Sequence, residues 1–222
     1  MTKSVEIALA DAVLHGDLTL PDEAAGLVIF AHGSGSSRHS PRNRFVAGVI
    51  NRAGFGTLLM DLLTEEEERV DEMTRELRFD IDLLGRRVAR VVEWAGEREK
   101  LAGLPVGLFG SSTGAAAALV AAAALPGDVH AVVSRGGRPD LAGSALPGVE
   151  CATLLIVGGL DEVVIGLNED ARVYMRCPTE LVIVPGATHL FEEPGTLEEV
   201  ARLAAEWFAR HLAGVERTSP VR

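Results

Sequence analysis

The chain has 222 residues, 47% of them hydrophobic and 24% charged, with a net charge of −11 at neutral pH and an isoelectric point near 5.0. This is enough apolar material for one large α/β domain, and the acidic balance argues against nonspecific nucleic-acid or anionic-membrane binding. Cys151 and Cys177 lack metal-ligand spacing, and the sequence offers neither a signal peptide nor an apolar run of bilayer length, so a soluble cytoplasmic protein is expected.

Residues 5–9 and 13–20 read as two strands at an antiparallel edge, followed by a turn at Pro21-Asp-Glu. Residues 27–31, Leu-Val-Ile-Phe-Ala, form the continuous apolar run expected of a strand buried on both faces. They lead into His32-Gly-Ser-Gly-Ser-Ser-Arg-His-Ser-Pro41, a polar Gly/Ser-rich loop in the place where open α/β sheets hold ligands. A helix over 45–53, stopped by Gly54, precedes a buried strand over 55–62. Thr64 is placed to cap the acidic stretch 64–71, which reads as a solvated helix start, with a flap over the site as the alternative. Residues 79–94 carry Leu83, Leu84, Val88, Val91 and Val92 at helical spacing.

The second half repeats strand and helix. Residues 106–109 read as a strand and the Ala-rich run to Leu125 as a helix, closed by Pro126-Gly127. Strands over 129–134, 153–157 and 181–184 follow, with helices over 163–175 and 196–212, the last with Thr196 and Glu199 in capping-box spacing. The predicted fold is α/β, a doubly wound, mostly parallel sheet of eight strands. The link between residues 134 and 153 is too short for a large cap. Residues 213–222 read as a polar C-terminal tail of the single domain 1–222.

Chemistry concentrates where the 106–109 strand meets its helix. Gly110-Ser-Ser112-Thr-Gly114 reads G-x-S-x-G in the strand–turn–helix context that exposes a nucleophilic serine at the top of a sheet. Ser111 is the rival, but the residues two away from it are Phe109 and Thr113, not glycines. A serine hydroxyl needs a base, and the base an orienting acid, in the chain order Ser, Asp/Glu, His. Asp161 and His189 fall in loops after successive strands at the end of the sheet that carries Ser112. His130 falls at the opposite end and His211 in the closing helix; Glu162, Glu192 and Asp170 are rival acids.

An oxyanion hole is expected from the N–H of Thr113 and that of Ser34, with Gly35 as the fallback. His32 reads as a loop brace rather than a second base. Gly35, Arg38 and Arg135, together with Arg42 and Arg138, are candidate contacts to an anionic substrate; the alternative is surface arginines balancing an acidic protein.

The loop from His32 to Asn43, the run Gly110-Ser-Ser-Thr-Gly-Ala-Ala-Ala-Ala118 and Pro185-Gly-Ala-Thr-His-Leu-Phe191 together resemble the dienelactone-hydrolase-like branch of the α/β-hydrolases, over roughly residues 5–212. The closest resemblance is to small bacterial members, some fused to phosphoribosyltransferase-like domains. It implies Ser112 as nucleophile, Asp161 as acid and His189 as base. True dienelactone hydrolases use a cysteine at the elbow, and Ser112 in its place favours a plainer carboxylesterase. The expectation is a serine hydrolase of small carboxylic esters, thioesters or lactones, needing no metal or cofactor, with a homodimer left open. The alternatives are an acyltransferase or perhydrolase using the same residues, or a non-catalytic interaction module.

Overall fold

The computed structural model describes residues 1–215; the remainder of the predicted tail, 216–222, lies outside the described residues. Eight strands form one sheet in the order β1-β2-β4-β3-β5-β6-β7-β8. These are β1 (Thr2–Ala8), β2 (Val13–Thr19), β3 (Leu27–Ala31), β4 (Gly56–Met60), β5 (Val106–Ser111), β6 (Val129–Arg135), β7 (Ala152–Gly158) and β8 (Thr179–Val184). The β1–β2 and β2–β4 pairs are antiparallel, and every pairing from β4 to β8 is parallel. The central strands β3, β4, β5 and β7 are buried at every residue, which is why residues 27–31 read as an unbroken apolar run.

Helices cover both faces. They are α1 (Pro41–Arg52), α2 (Glu65–Thr74), α3 (Ile81–Gly96), α4 (Thr113–Ala124), α5 (Glu162–Tyr174) and α6 (Thr196–Leu212). One core joins α3 and α4 to the sheet, and a second joins α1 and α6 to the other face. The alanines of the first three turns of α4, Ala115 to Ala122, are buried, so its backbone lies close to the strands. Between β6 and β7 the chain makes only short 3₁₀ turns over Pro139–Gly148.

The start of α1 and the cap of α6 differ from the sequence reading. Helix α1 begins four residues early because Ser40 caps it, accepting the Asn43 N–H at 3.3 Å, with Pro41 in the first turn. The capping box expected at Thr196 and Glu199 does not form. Gly195 takes the cap position at φ +84°, and the Thr196 hydroxyl donates to the Glu193 carbonyl at 2.7 Å. A capping box does form at α2, between Thr64 and Glu67.

The acidic stretch is pinned, not loose. Glu67 accepts two hydrogen bonds of 2.7 Å from buried Arg87 on α3, which also donates to the Leu62 carbonyl. Buried Asp71 pairs with Arg78. The Arg87 guanidinium and the Thr64 cap hold the Glu67 carboxyl below the ordinary range. A depressed carboxyl pKa contributes stability above its unfolded value that is lost as pH falls through the folded one. Glu67→Gln is therefore expected to cost about 2 kcal/mol at pH 7. Urea unfolding of both proteins from pH 7 to 3 should show that difference shrinking on the acid side of pH 4.5, the ordinary Glu value.

Candidate active site

Ser112 sits between β5 and α4 at φ +51°, ψ −120°, a conformation that a residue with a side chain adopts only under constraint. The constraint is local. A Cβ at Gly110 would overlap Ala115, and one at Gly114 would overlap the Ala31 and His32 carbonyls. Three backbone bonds clamp the turn: Ser112 N–H donates to the Arg135 carbonyl (3.2 Å), and the Arg138 and Ala115 N–H groups donate to the Ser112 carbonyl (3.1 Å each).

Asp161 and His189 come together from neighbouring loops, with Asp161 Oδ2 2.7 Å from His189 Nδ1. The two loops are stitched by backbone bonds, Gly159 N–H to the Val184 carbonyl (2.8 Å) and Leu160 N–H to the Ala187 carbonyl (2.9 Å). Gly158 has no room for a Cβ against Ala187. The His189 loop is braced by Glu193, which accepts from both the Thr188 N–H (3.0 Å) and its hydroxyl (2.6 Å).

Ser112 and His189 line one cavity of about 250 Å³, whose walls include Gly33, Ser34, Ser40, Asn43 and Arg135. Among the described residues the Ser112 hydroxyl makes no hydrogen bond; such bonds commonly tighten only when substrate arrives.

The rival groups are placed elsewhere. Glu192 pairs with Arg42 at 3.1 Å, and Glu162 opens α5. His211 stacks on Trp207 with ring centroids 4.3 Å apart. His32 is buried between two backbone groups: Nδ1 donates to the Gly33 carbonyl (2.9 Å) and Nε2 accepts the Leu62 N–H (3.1 Å). Burial holds its pKa below the usual imidazole value, so it is a neutral brace. Ser111 donates to Asn43 Oδ1 at 3.0 Å. Burial pushes the Cys151 thiol up to about 12, which removes it as a nucleophile at neutral pH.

The predicted oxyanion donors are not both free. Thr113 supplies the first N–H of α4, which has no intrahelical acceptor. The Ser34 N–H donates to the hydroxyl of Thr113, 79 residues away in sequence, at 2.9 Å. Gly35, the fallback, belongs to a neighbouring pocket with Asp71 and Arg78.

The arginines separate by partner. Arg38 does not reach the Ser112 cavity. Its N–H donates to Asp61 (2.8 Å), its guanidinium pairs with Asp61, and Asp17 lies 3.8 Å away. Arg138 is taken by Asp140 through two bonds of 2.9 and 2.8 Å. Arg135 lines the cavity, is only 7% exposed, and makes no side-chain hydrogen bond among the described residues. Burial, with cationic Arg42 beside it, lowers its pKa to about 10, which leaves it charged at neutral pH. Asn43 was missed in the sequence, since nothing local marks it as a wall of the site.

No family profile matches the chain. Two proteins from strains of Mycobacterium tuberculosis, provisionally named phosphoribosyl transferases, are 56% identical over 212 residues, 96% of this chain. The chain spans about half the length of these curated relatives, 47%. The crystal structure of dienelactone hydrolase from Anabaena variabilis is 55% identical, with a TM-score of 0.94 over 95% of this chain and 98% of that one. Est1E from Butyrivibrio proteoclasticus shares the fold at 16% identity and a TM-score of 0.77, over 93% of this chain and 98% of that one. Among the described residues no helix is long and apolar enough to cross a membrane. With this relative matched over nearly its whole length, the chain belongs to the dienelactone-hydrolase-like branch of the α/β-hydrolases and is of the hydrolase class.

Proposed function

We propose that the chain hydrolyses small carboxylic esters through an acyl-enzyme on Ser112. The observation that carries this reading is the Asp161–His189 pair at 2.7 Å, with His189 on the same cavity as a serine held at positive φ. Asp161 accepts a hydrogen bond from the Nδ1–H of His189, which leaves Nε2 with its lone pair as the base. Ser112 Oγ attacks the ester carbonyl carbon as His189 takes its proton. The negative charge on the carbonyl oxygen is held by the Thr113 N–H and the start of α4, with the Ser34 N–H joining as it is shared with or released from the Thr113 hydroxyl. The imidazolium then protonates the leaving alcohol. Water attacks the acyl-enzyme with His189 again as base, and Ser112 is regenerated.

The transferase name of the curated relatives belongs to proteins of which this chain spans about half. The residues gathered around Ser112 suit acyl transfer, and water is the acceptor in this reading. Thioesters and lactones present the same carbonyl to the same groups.

A cavity of about 250 Å³ beside so short a β6–β7 link favours short acyl chains. Turnover of p-nitrophenyl acetate and butyrate is expected to exceed that of the octanoate by about tenfold in kcat/KM. Preference for the octanoate would contradict the small-ester assignment, and turnover of none of the three by folded protein would contradict ester hydrolysis itself.

A further inference from the structure

The two cysteines are far apart in sequence, and the sheet brings them together. Cys151 leads into β7 and Cys177 into β8, on either side of α5. The two strands pair in parallel with Thr153 opposite Thr179, and the Thr153 N–H donates to the Pro178 carbonyl at 2.9 Å. Each cysteine therefore stands two residues before one of a pair of facing threonines. Side chains two apart along a strand share a face, so both thiols fall on the face that carries the threonine hydroxyls. The contacts of Cys177 agree: its Sγ lies 3.4 Å from Thr179 Oγ1 and 3.8 Å from Thr153 Oγ1 on the neighbouring strand. Burial raises the Cys151 thiol pKa, and Cys177 is near enough to add to the effect. A third sulfur joins them, since Met175 Sδ lies 3.9 Å from the same Thr179 hydroxyl. All three side chains are half-buried against one core, the one that α3 and α4 cover.

Thiolate and thioether donors select soft cations. The spacing discriminates as well. Facing residues on neighbouring strands stand about 4.8 Å apart, wider than the Cβ separation of about 3.8 Å that a disulfide takes. Two metal–thiolate bonds of about 2.3 Å each span such a gap. Among the described residues no three His, Cys, Asp or Glu side chains gather to hold a metal, so the closed tetrahedral set of a structural zinc site is not offered. The three sulfurs suit a cation that accepts a small number of soft ligands.

We propose that Cys151, Cys177 and Met175 form a binding site for a soft monovalent cation of the cuprous type, at the entries of β7 and β8. Binding forms two copper–thiolate bonds and one copper–thioether bond. The two thiol protons leave to solvent, the copper stays Cu(I), and no electron is transferred. The site draws on nothing in the proposed hydrolysis, because the parallel strands place Ser112 at the opposite end of the sheet.

The test is anaerobic titration of reduced, metal-free protein with Cu(I) against the chromophoric chelator bicinchoninate. Wild type should withhold one copper per chain. Cys151→Ser and Cys177→Ser should each weaken binding by at least about a hundredfold, the upper end of what loss of a merely supporting group costs. Met175→Leu conserves the side-chain volume and should weaken binding by about tenfold. That variant separates a three-sulfur site from an ordinary pair of thiols. Thermal melts followed by circular dichroism check each fold, and the alanine variant replaces any serine variant that does not fold.

Wild-type protein that yields all its copper to the chelator overturns the proposal, as does a Cys151→Ser, Cys177→Ser double variant that keeps it. Met175→Leu protein that binds as tightly as wild type overturns the three-sulfur site. Reduced protein that withholds no copper but loses two hydrogen masses under peroxide would overturn it in favour of a disulfide. None of these outcomes depends on turnover, so the site and the ester-hydrolase reading stand or fall separately.

Discussion

Ser112→Ala is expected to lower kcat for p-nitrophenyl acetate by at least about 10⁴-fold, because Ser112 is the proposed site of the acyl-enzyme. The loss should come without unfolding. The Ser112 hydroxyl makes no hydrogen bond among the described residues, and alanine meets the same backbone constraint at φ +51°. A Tm within about 3 °C of wild type is the corresponding check. Ser111→Ala provides the contrast. That hydroxyl is spent on Asn43, so its removal should cost less than about tenfold in kcat. If the two variants exchanged places, the nucleophile would be Ser111 and the glycine argument would fail.

Asp161→Asn should cost about 10³- to 10⁴-fold in kcat at pH 7. An asparagine that presents its NH₂ to His189 Nδ1 asks that nitrogen to accept. The imidazole proton then moves to Nε2, and the base can no longer take the Ser112 proton. The 2.7 Å contact could persist, so the defect is one of tautomer and not of packing, and KM should stay within about threefold. Glu192→Gln is the control. Glu192 pairs with Arg42 at the exposed rim, an interaction of little worth, and its loss should change kcat by less than about threefold. Steady-state kinetics on both variants decide the matter. A fivefold effect at Asp161 with a large one at Glu192 would move the acid role to the rim.

How much of this was written in the sequence depends on the range of the interaction. The strands around 27–31, 106–109 and 153–157 are mostly apolar because each is covered on both faces. Gly110 and Gly114 advertise the elbow because the packing that forbids a side chain there belongs to the motif itself. Asp161 and His189 were legible from order alone, since both follow parallel strands and must emerge at one end of the sheet.

What no local pattern carried was tertiary or competitive. Thr196 had the spacing of a cap, but Gly195 could take a positive φ and the hydroxyl found Glu193. Ser34 is held by Thr113, and Arg38 by Asp61, partners that no local pattern couples. Four arginines looked alike as text. Only their partners, Asp61 for Arg38, Asp140 for Arg138 and Glu192 for Arg42, set apart Arg135, which has none among the described residues.

The central claim is an activated Ser112, and intact mass spectrometry after treatment with a small fluorophosphonate tests it most directly. Wild-type protein is predicted to gain a single adduct, which vanishes in Ser112→Ala and forms far more slowly in Asp161→Asn. Folded wild-type protein that gains no adduct, or Ser112→Ala protein that still gains one, would contradict the assignment of nucleophile and base.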